Sequence, residues 1–151
     1  MGRSRGGLTT KIHAMVDARG LPISLVLSEG QAYDGHSAHL MLDTLEPGSI
    51  LLADRAYDAD KLREAIASKG ALANIPSMPQ RVRRSAFSPF LYRYRNLIER
   101  FFNKLKHFRA VTTRYDKRDD NFLASVQLAS IRIWLRHNES SCNLWLLPRA
   151  G

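Results

Sequence analysis

Leu91-Tyr-Arg-Tyr-Arg-Asn-Leu-Ile-Glu-Arg-Phe-Phe-Asn-Lys-Leu-Lys-His-Phe108 is the stretch on which the reading of the fold turns. Its spacing predicts one long helix over about residues 91–109. At roughly 100° per residue, Arg95, Glu99 and Lys106 fall within about 60° of Tyr92. Leu97, Ile98, Phe101, Leu105 and Phe108 gather on the opposite side, with Phe102 near one edge. Such a helix can bury an apolar face and present Tyr, Arg, Glu and Lys as one stripe. Glu99 is the only acid between Glu64 and Asp116. As a surface acid paired with Arg95 or Arg100 it would contribute only about 0.2–0.5 kcal/mol. A lone carboxylate in a strongly basic stretch also suits a metal ligand beside a phosphate site.

Upstream of this helix, Ser49-Ile-Leu-Leu-Ala53 reads as a short buried strand that ends at Asp54. An acid placed where a strand ends points out at the carboxyl end of a sheet, where sites form in α/β proteins. Residues 58–69 read as a helix closed by Gly70, with Asp58 as its N-cap. Leu72 to Ile75 is a second short strand. Residues 76–90 hold Pro76, Pro79 and Pro89 with Arg81, Arg83 and Arg84, and read as a mobile basic loop. Nearer the N-terminus, residues 8–29 read as a β-hairpin turning at Asp17-Ala-Arg-Gly20, followed by a loop over 30–35 and a short helix over 37–45. Beyond the central stretch, a helix over about 119–137 carries Phe122, Val126, Ala129, Ile133 and Trp134 on one face, and the tail 138–151 has no clear period. Strands and helices alternate and long helices follow, an α/β order. No glycine-rich phosphate loop is present.

The chain has 151 residues and a net charge of +9, and the charge is unevenly spread. Residues 81–118 carry twelve Lys or Arg against only Glu99 and Asp116, while the rest of the chain nearly balances. Aromatic residues, among them Phe87, Phe90, Tyr92, Tyr94, Phe101 and Phe108, are interleaved with this charge. Such a segment gains free energy by releasing counterions from a phosphate backbone, so a polyanion is the expected partner. Cys142 is the one cysteine, which excludes an internal disulfide, and no Cys/His cluster has zinc spacing. No apolar run approaches the roughly 18 residues that span a bilayer, and no apolar stretch follows the basic N-terminus as in a secretory signal. A cytoplasmic location, without membrane partners, is expected. The five histidines are scattered and read as non-catalytic, and Trp134 and Trp145 as packing residues.

These residues resemble a known family. Tyr92, Arg95, Glu99 and Lys106 match the Tyr-x2-Arg-x3-Glu-x6-Lys signature of bacterial DDE transposases of the insertion-sequence four/five superfamily. Asp54-Arg-Ala-Tyr-Asp58 resembles that family's second-aspartate motif, and Gly6-Gly-Leu-Thr-Thr-Lys-Ile-His13 and Gly30-Gln-Ala-Tyr-Asp34 are similar to its intervening sequences. The resemblance covers about residues 4–137. It implies a ribonuclease-H-like catalytic core over residues 1–137 with long C-terminal helices. It implies Asp54 and Glu99 as the second and third metal-binding carboxylates of a two-Mg²⁺ site. Tyr92, Arg95 and Lys106 would contact DNA phosphates, with Arg93, Arg100, Lys104, Arg81, Arg83 and Arg84 adding to the DNA-binding surface. The implied partners are DNA, both element ends and target, and further copies of the chain in a synaptic complex, with nucleoid association when DNA is bound.

The family's first aspartate lies on the strand before the Lys11–Asp17 run. Asp17, Glu29, Asp34, Asp43 and Glu46 precede Asp54, and none occupies that position. The core is therefore expected to lack its first strand, and the two-metal site to be incomplete. Three readings follow. One is a transposase catalytic segment that needs an upstream piece, such as the product of an upstream reading frame. Another is a truncated product that binds DNA without cutting it. The third is an unrelated basic nucleic-acid-binding domain, which leaves the coincidence of the Asp54 and Glu99 motifs unexplained.

Overall fold

Period-two alternation puts Ile12, Ala14 and Val16 on one side of an extended run and His13 and Met15 on the other. The computed structural model, which describes residues 2–4, 7–30, 34–113 and 118–143, covers both sides. The strands β1 (Gly2–Ser4), β2 (Gly7–Val16) and β3 (Pro22–Glu29) form an antiparallel sheet in that order. Ile12 pairs with Leu27 and Ala14 with Leu25, so like faces meet. Strand β1, for which no pattern in the sequence is a signal, is only three residues long and pairs Gly2 with Thr9. At the hairpin turn, one Asp17 oxygen accepts the backbone N–H groups of Arg19 and Leu21, both at 2.9 Å. Gly20 takes φ 77°, a left-handed conformation that glycine adopts without steric cost.

The next segment alternates helices and short strands. Helix α1 (Asp34–Met41) runs into a 3-10 turn (Leu42–Thr44), then β4 (Ile50–Leu52), a second 3-10 turn (Arg55–Tyr57), α2 (Asp60–Ser68) and β5 (Leu72–Asn74). β4 and β5 pair in parallel, Ile50 with Leu72 and Leu52 with Asn74, as a helical crossover requires. Leu62 and Ile66 of α2 are buried with Ala38, Leu42, Ala71 and Ile75 in one cluster.

The C-terminal helices are α3 (Pro89–Tyr92), a 3-10 turn (Arg93–Arg95), α4 (Asn96–Lys106), α5 (Arg109–Thr113) and α6 (Asp119–Asn143). The single helix expected over 91–109 is a contiguous helical run over 89–106 that tightens to a 3-10 turn at Arg93–Arg95. It starts earlier because Ser88 accepts the Leu91 N–H and Pro89 takes the first helical position. It stops at Lys106, whose carbonyl accepts the Thr112 hydroxyl at 2.7 Å. Phe101 and Leu105 of α4 meet Phe122, Val126, Ala129 and Ile133 of α6 and Leu21 of the hairpin in a second cluster. Trp134 closes this core by donating its indole N–H to the Pro22 carbonyl at 2.8 Å. Residues 138–143, read from sequence as part of the tail, continue α6. Residues 144–151 with Trp145, the 31–33 portion of the Gly30–Asp34 motif and the Cys142 side chain lie outside the described residues. Among the described residues no helix is long and apolar enough to cross a membrane.

The basic loop between β5 and α3 departs most from expectation, because it is tied down at its base and along its length. Asn74 and Ser88 bond reciprocally across its ends, Ser88 N–H to the Asn74 amide oxygen at 2.7 Å and the Asn74 amide to the Ser88 carbonyl at 3.1 Å. The Ser85 N–H donates to the Ser77 hydroxyl at 3.1 Å. Further in, Asp58 accepts the Met78 N–H at 2.7 Å and the Arg81 Nε–H at 3.0 Å. Asp58 is therefore not the N-cap of α2. Ala59 holds that position without a side-chain bond, and the Asp58 carboxylate, with no solvent exposure, faces Arg63 and Arg81 instead. Arg63 also donates to the Ile75 carbonyl at 2.7 Å.

Burial alone would raise the Asp58 pKa, but the Met78 N–H and the Arg63 and Arg81 guanidinium groups outweigh it and hold the carboxyl below the usual range. Asp58→Asn is expected to lower unfolding free energy by about 3 kcal/mol, the low end of the range for a broken buried pair because both arginines reach solvent. The unfolded chain takes up the Asp58 proton at higher pH than the folded chain does. The carboxylate's contribution is therefore complete above the ordinary carboxylate pKa and disappears as pH falls through the lower folded value. In urea titrations the gap between wild type and variant should narrow in acid. A gap that is constant with pH would show that the charge is not what holds the loop.

Candidate active site

Asp54 stands directly beyond β4, in extended backbone, and is the N-cap of the 3-10 turn Arg55–Tyr57. Two interactions fix this turn from the protein side. The Tyr57 N–H donates to the Asp54 carbonyl at 2.9 Å, and the Tyr57 hydroxyl lies 3.2 Å from His13 Nδ1. His13 is buried, and its Nε2 lies 2.7 Å from the Ser28 hydroxyl. Its two ring nitrogens thus face Tyr57 and Ser28. The Tyr57 link was not read from the sequence, where only the alternation along β2 hinted that His13 pointed away from Ile12 and Ala14.

The structure brings four of the sequence candidates together. Asp54 Oδ1 accepts the Tyr92 hydroxyl at 2.9 Å, and Asp54 Oδ2 accepts Arg95 Nη1 at 2.9 Å. Arg95 Nη2 reaches on to Glu99 Oε1 at 2.7 Å. One guanidinium therefore bridges a carboxylate at the end of β4 and a carboxylate in the first turn of α4. The fork geometry of arginine suits this, since its planar donors diverge toward two acceptors. The Tyr92 ring is packed edge-on by Phe87 at 5.3 Å, and the Arg95 guanidinium lies 5.5 Å from its centroid. Burial, the hydrogen bond to Asp54 and that carboxylate's charge together push the Tyr92 phenol up from its ordinary value.

These ion pairs are not a stability device. The Asp54 and Glu99 side chains are 49% and 58% exposed, so water screens the pairs and each contributes at most about 1 kcal/mol. Exposure instead leaves both carboxylates open to a ligand. Among the described residues no group of three acids, histidines or cysteines is placed to hold a metal ion together. A Mg²⁺ ion that keeps several waters and takes phosphate oxygens needs only one or two protein carboxylates, so Asp54 and Glu99 fit that donor set.

The remaining candidates lie apart from this cluster. Arg93, Arg100, Lys104 and Lys106 are exposed along the 3-10 turn and α4, Arg93 with its guanidinium 4.6 Å from the Phe90 ring. Lys106 closes α4, about two turns beyond Glu99. Arg83 and Arg84 are exposed in the loop. Arg81 is not exposed with them, because its guanidinium is engaged by Asp58 and Asp60.

The profile of the family described as "Transposase DDE domain" matches residues 2–134. A Brucella ovis protein, assigned as the transposase of insertion sequence element IS6501, is 42% identical over 130 residues, 85% of this chain and 100% of the relative. A Burkholderia cepacia protein, assigned as the transposase of insertion sequence element IS402, is 28% identical over 129 residues, 78% of this chain and 58% of the relative. No solved structure matches the chain.

The Tyr92 environment offers a direct check on the geometry. In an alkaline titration followed by tyrosine absorbance, with Tyr92→Phe identifying the signal, Tyr92 should ionise above the ordinary tyrosine range. Asp54→Asn should move it down but not fully back, since burial remains. A Tyr92 signal indifferent to Asp54→Asn would break the hydrogen bond on which the cluster is built.

Proposed function

The chain belongs to the family of transposase DDE domains, and we propose that Asp54 and Glu99 form its divalent-metal site for phosphodiester cleavage and strand transfer in DNA transposition. The single observation that carries this reading is the Asp54–Arg95–Glu99 bridge, two solvent-reachable carboxylates from distant parts of the chain turned toward one guanidinium. Antiparallel strands followed by a parallel pair with a helical crossover support a ribonuclease-H-like arrangement of the core.

A bound Mg²⁺ would supply charge stabilisation at the phosphate and acidify the attacking water or 3′-hydroxyl. The chain's own residues do the positioning. Tyr92 donates its hydroxyl proton to Asp54 and fixes the orientation of that carboxylate. Arg95 draws the two acids together against their mutual repulsion, and its fork can turn to phosphate oxygens once other cations share the carboxylates. Arg93, Arg100, Lys104 and Lys106 offer a row of cations along the DNA backbone. In-line phosphoryl transfer asks for little covalent chemistry from a protein, so placement and charge carry most of the effect. Further copies of the chain would hold two element ends in one synaptic complex.

One observation favours a narrower second reading. Asp54 and Glu99 stand without a third acid among the described residues. In that reading the chain grips DNA and cuts it only when another segment, an upstream-frame product for example, supplies a further carboxylate.

Both readings require salt-sensitive binding to DNA. Arg93→Ala with Lys106→Ala should lower the slope of log affinity against log salt by roughly 1.8, at roughly 0.9 per phosphate contact. Only the first reading requires Mg²⁺-dependent cleavage of an element end by this chain, with Glu99→Gln abolishing cleavage and sparing binding. Cleavage that survives Glu99→Gln would remove the metal-site assignment.

A further inference from the structure

The loop between β5 and α3 presents a feature that the Asp54–Glu99 site does not use. Val82 is 98% exposed, the most exposed of the large apolar side chains of the described residues. It follows Arg81, which is held by Asp58 and Asp60, and precedes Arg83 and Arg84, which are exposed. Behind it the loop is closed by the Asn74–Ser88 and Ser77–Ser85 bonds and by the Met78 N–H on the buried Asp58 carboxylate. An anchored loop gives an exposed apolar tip no easy way to fold back over its own chain.

We propose that residues 82–84 form a pre-anchored tip that enters a groove of duplex DNA, with Arg83 and Arg84 on phosphates and Val82 in apolar contact with the groove. The proposal rests on the DNA-binding reading above and adds a second point of contact to it, distinct from the α4 row. The occupant is argued from charge. The exposed part of the tip carries two guanidinium groups, and the nearby acids Asp58 and Asp60 are engaged by Arg81. A polyanion therefore meets uncompensated positive charge around the valine. Apolar side chains do make groove contacts, against thymine methyl groups or by wedging at base steps. Because the loop is already ordered, little of the contact is lost to ordering it on binding.

The two kinds of contact differ in their salt dependence, and that separates them experimentally. Phosphate contacts release counterions and set the slope of log affinity against log salt, whereas an apolar contact shifts affinity without changing the slope. The full chain would be titrated with a fluorescein-labelled duplex of mixed sequence over a range of salt. Val82→Ala should weaken binding several-fold at every salt concentration, leaving a line parallel to wild type. Arg83→Ala with Arg84→Ala should flatten the slope by roughly 1.8, at roughly 0.9 per contact. Unchanged thermal melting would show that each variant is folded, as expected for exposed positions. Wild-type affinity in Val82→Ala, or an unchanged slope in the arginine pair, would overturn the proposal while the α4 row still binds. Altered sedimentation of Val82→Ala with unaltered DNA binding would overturn it too, and assign the tip to a second copy of the chain. A wild-type chain without salt-dependent DNA binding would remove the parent reading as well.

Discussion

A carboxylate with no access to water has to be neutralised where it sits, and Asp58 is neutralised by groups from two separate parts of the chain. Arg63 comes from α2, the Met78 N–H and Arg81 come from the basic loop, and Arg63 continues to the Ile75 carbonyl at the end of β5. Leaving any of these out would strand charge in a region shielded from solvent, which is far more costly than losing an exposed pair. The β4–α2–β5 unit and the loop that follows are therefore a single arrangement. Asp54 and Asp58 are the N-cap and C-cap of the same 3-10 turn, so what fixes Asp58 limits where Asp54 can be.

The two aspartates differ in exposure and in the origin of their partners. Asp58 is fully buried with two cationic partners and a backbone donor, and its chemistry is exhausted inside the protein. Asp54 is half exposed, and its partners Tyr92 and Arg95 come from the segment that leads into α4. Screened pairs of this kind contribute little to folding. The geometry is well defined although its contribution to stability is small, and that is the feature on which the proposed metal site rests. Tyr57, gripped on the other flank by buried His13, completes a turn that is held rigid on its inner side and left open on its outer side.

Much of this was legible in the sequence, for reasons that differ from element to element. The hairpin could be read because alternation, the Asp17–Gly20 turn and the two-sided burial of β2 all agree. Helix α4 could be read because Phe101 and Leu105 recur at four-residue spacing opposite Arg95 and Glu99, and both are buried as expected. That same periodicity brought Tyr92, Arg95 and Glu99 to one side, where Tyr92 and Arg95 bond Asp54 and Arg95 also bonds Glu99. The role of Asp58 could not be read, since an aspartate before a helix is a common cap and nothing local announces a partner some twenty residues away at Arg81. Loop 76–90 was legible as an irregular basic segment, but not its anchoring. Its prolines and arginines signal an irregular path, but the bonds that hold it, from Asn74 and Asp58, are tertiary. Strand β1 is too short to show any period at all.

Arginine shows why charge counting stops short of function here. Arg63 and Arg81 serve the buried carboxylate, Arg95 spans two exposed ones, and Arg83 and Arg84 face water. All five contribute equally to the net charge, yet a cation held by a carboxylate of the fold is less available to release counterions from a phosphate backbone than one that faces water. Arg81 belongs to the basic segment by position and to the core by interaction, so its removal would act on DNA only by loosening the loop that carries its neighbours. Among the described residues of 81–118, the basic character thus has two physical origins. Part of it neutralises internal acids and builds the scaffold, and the remainder is the surface that a nucleic acid can meet.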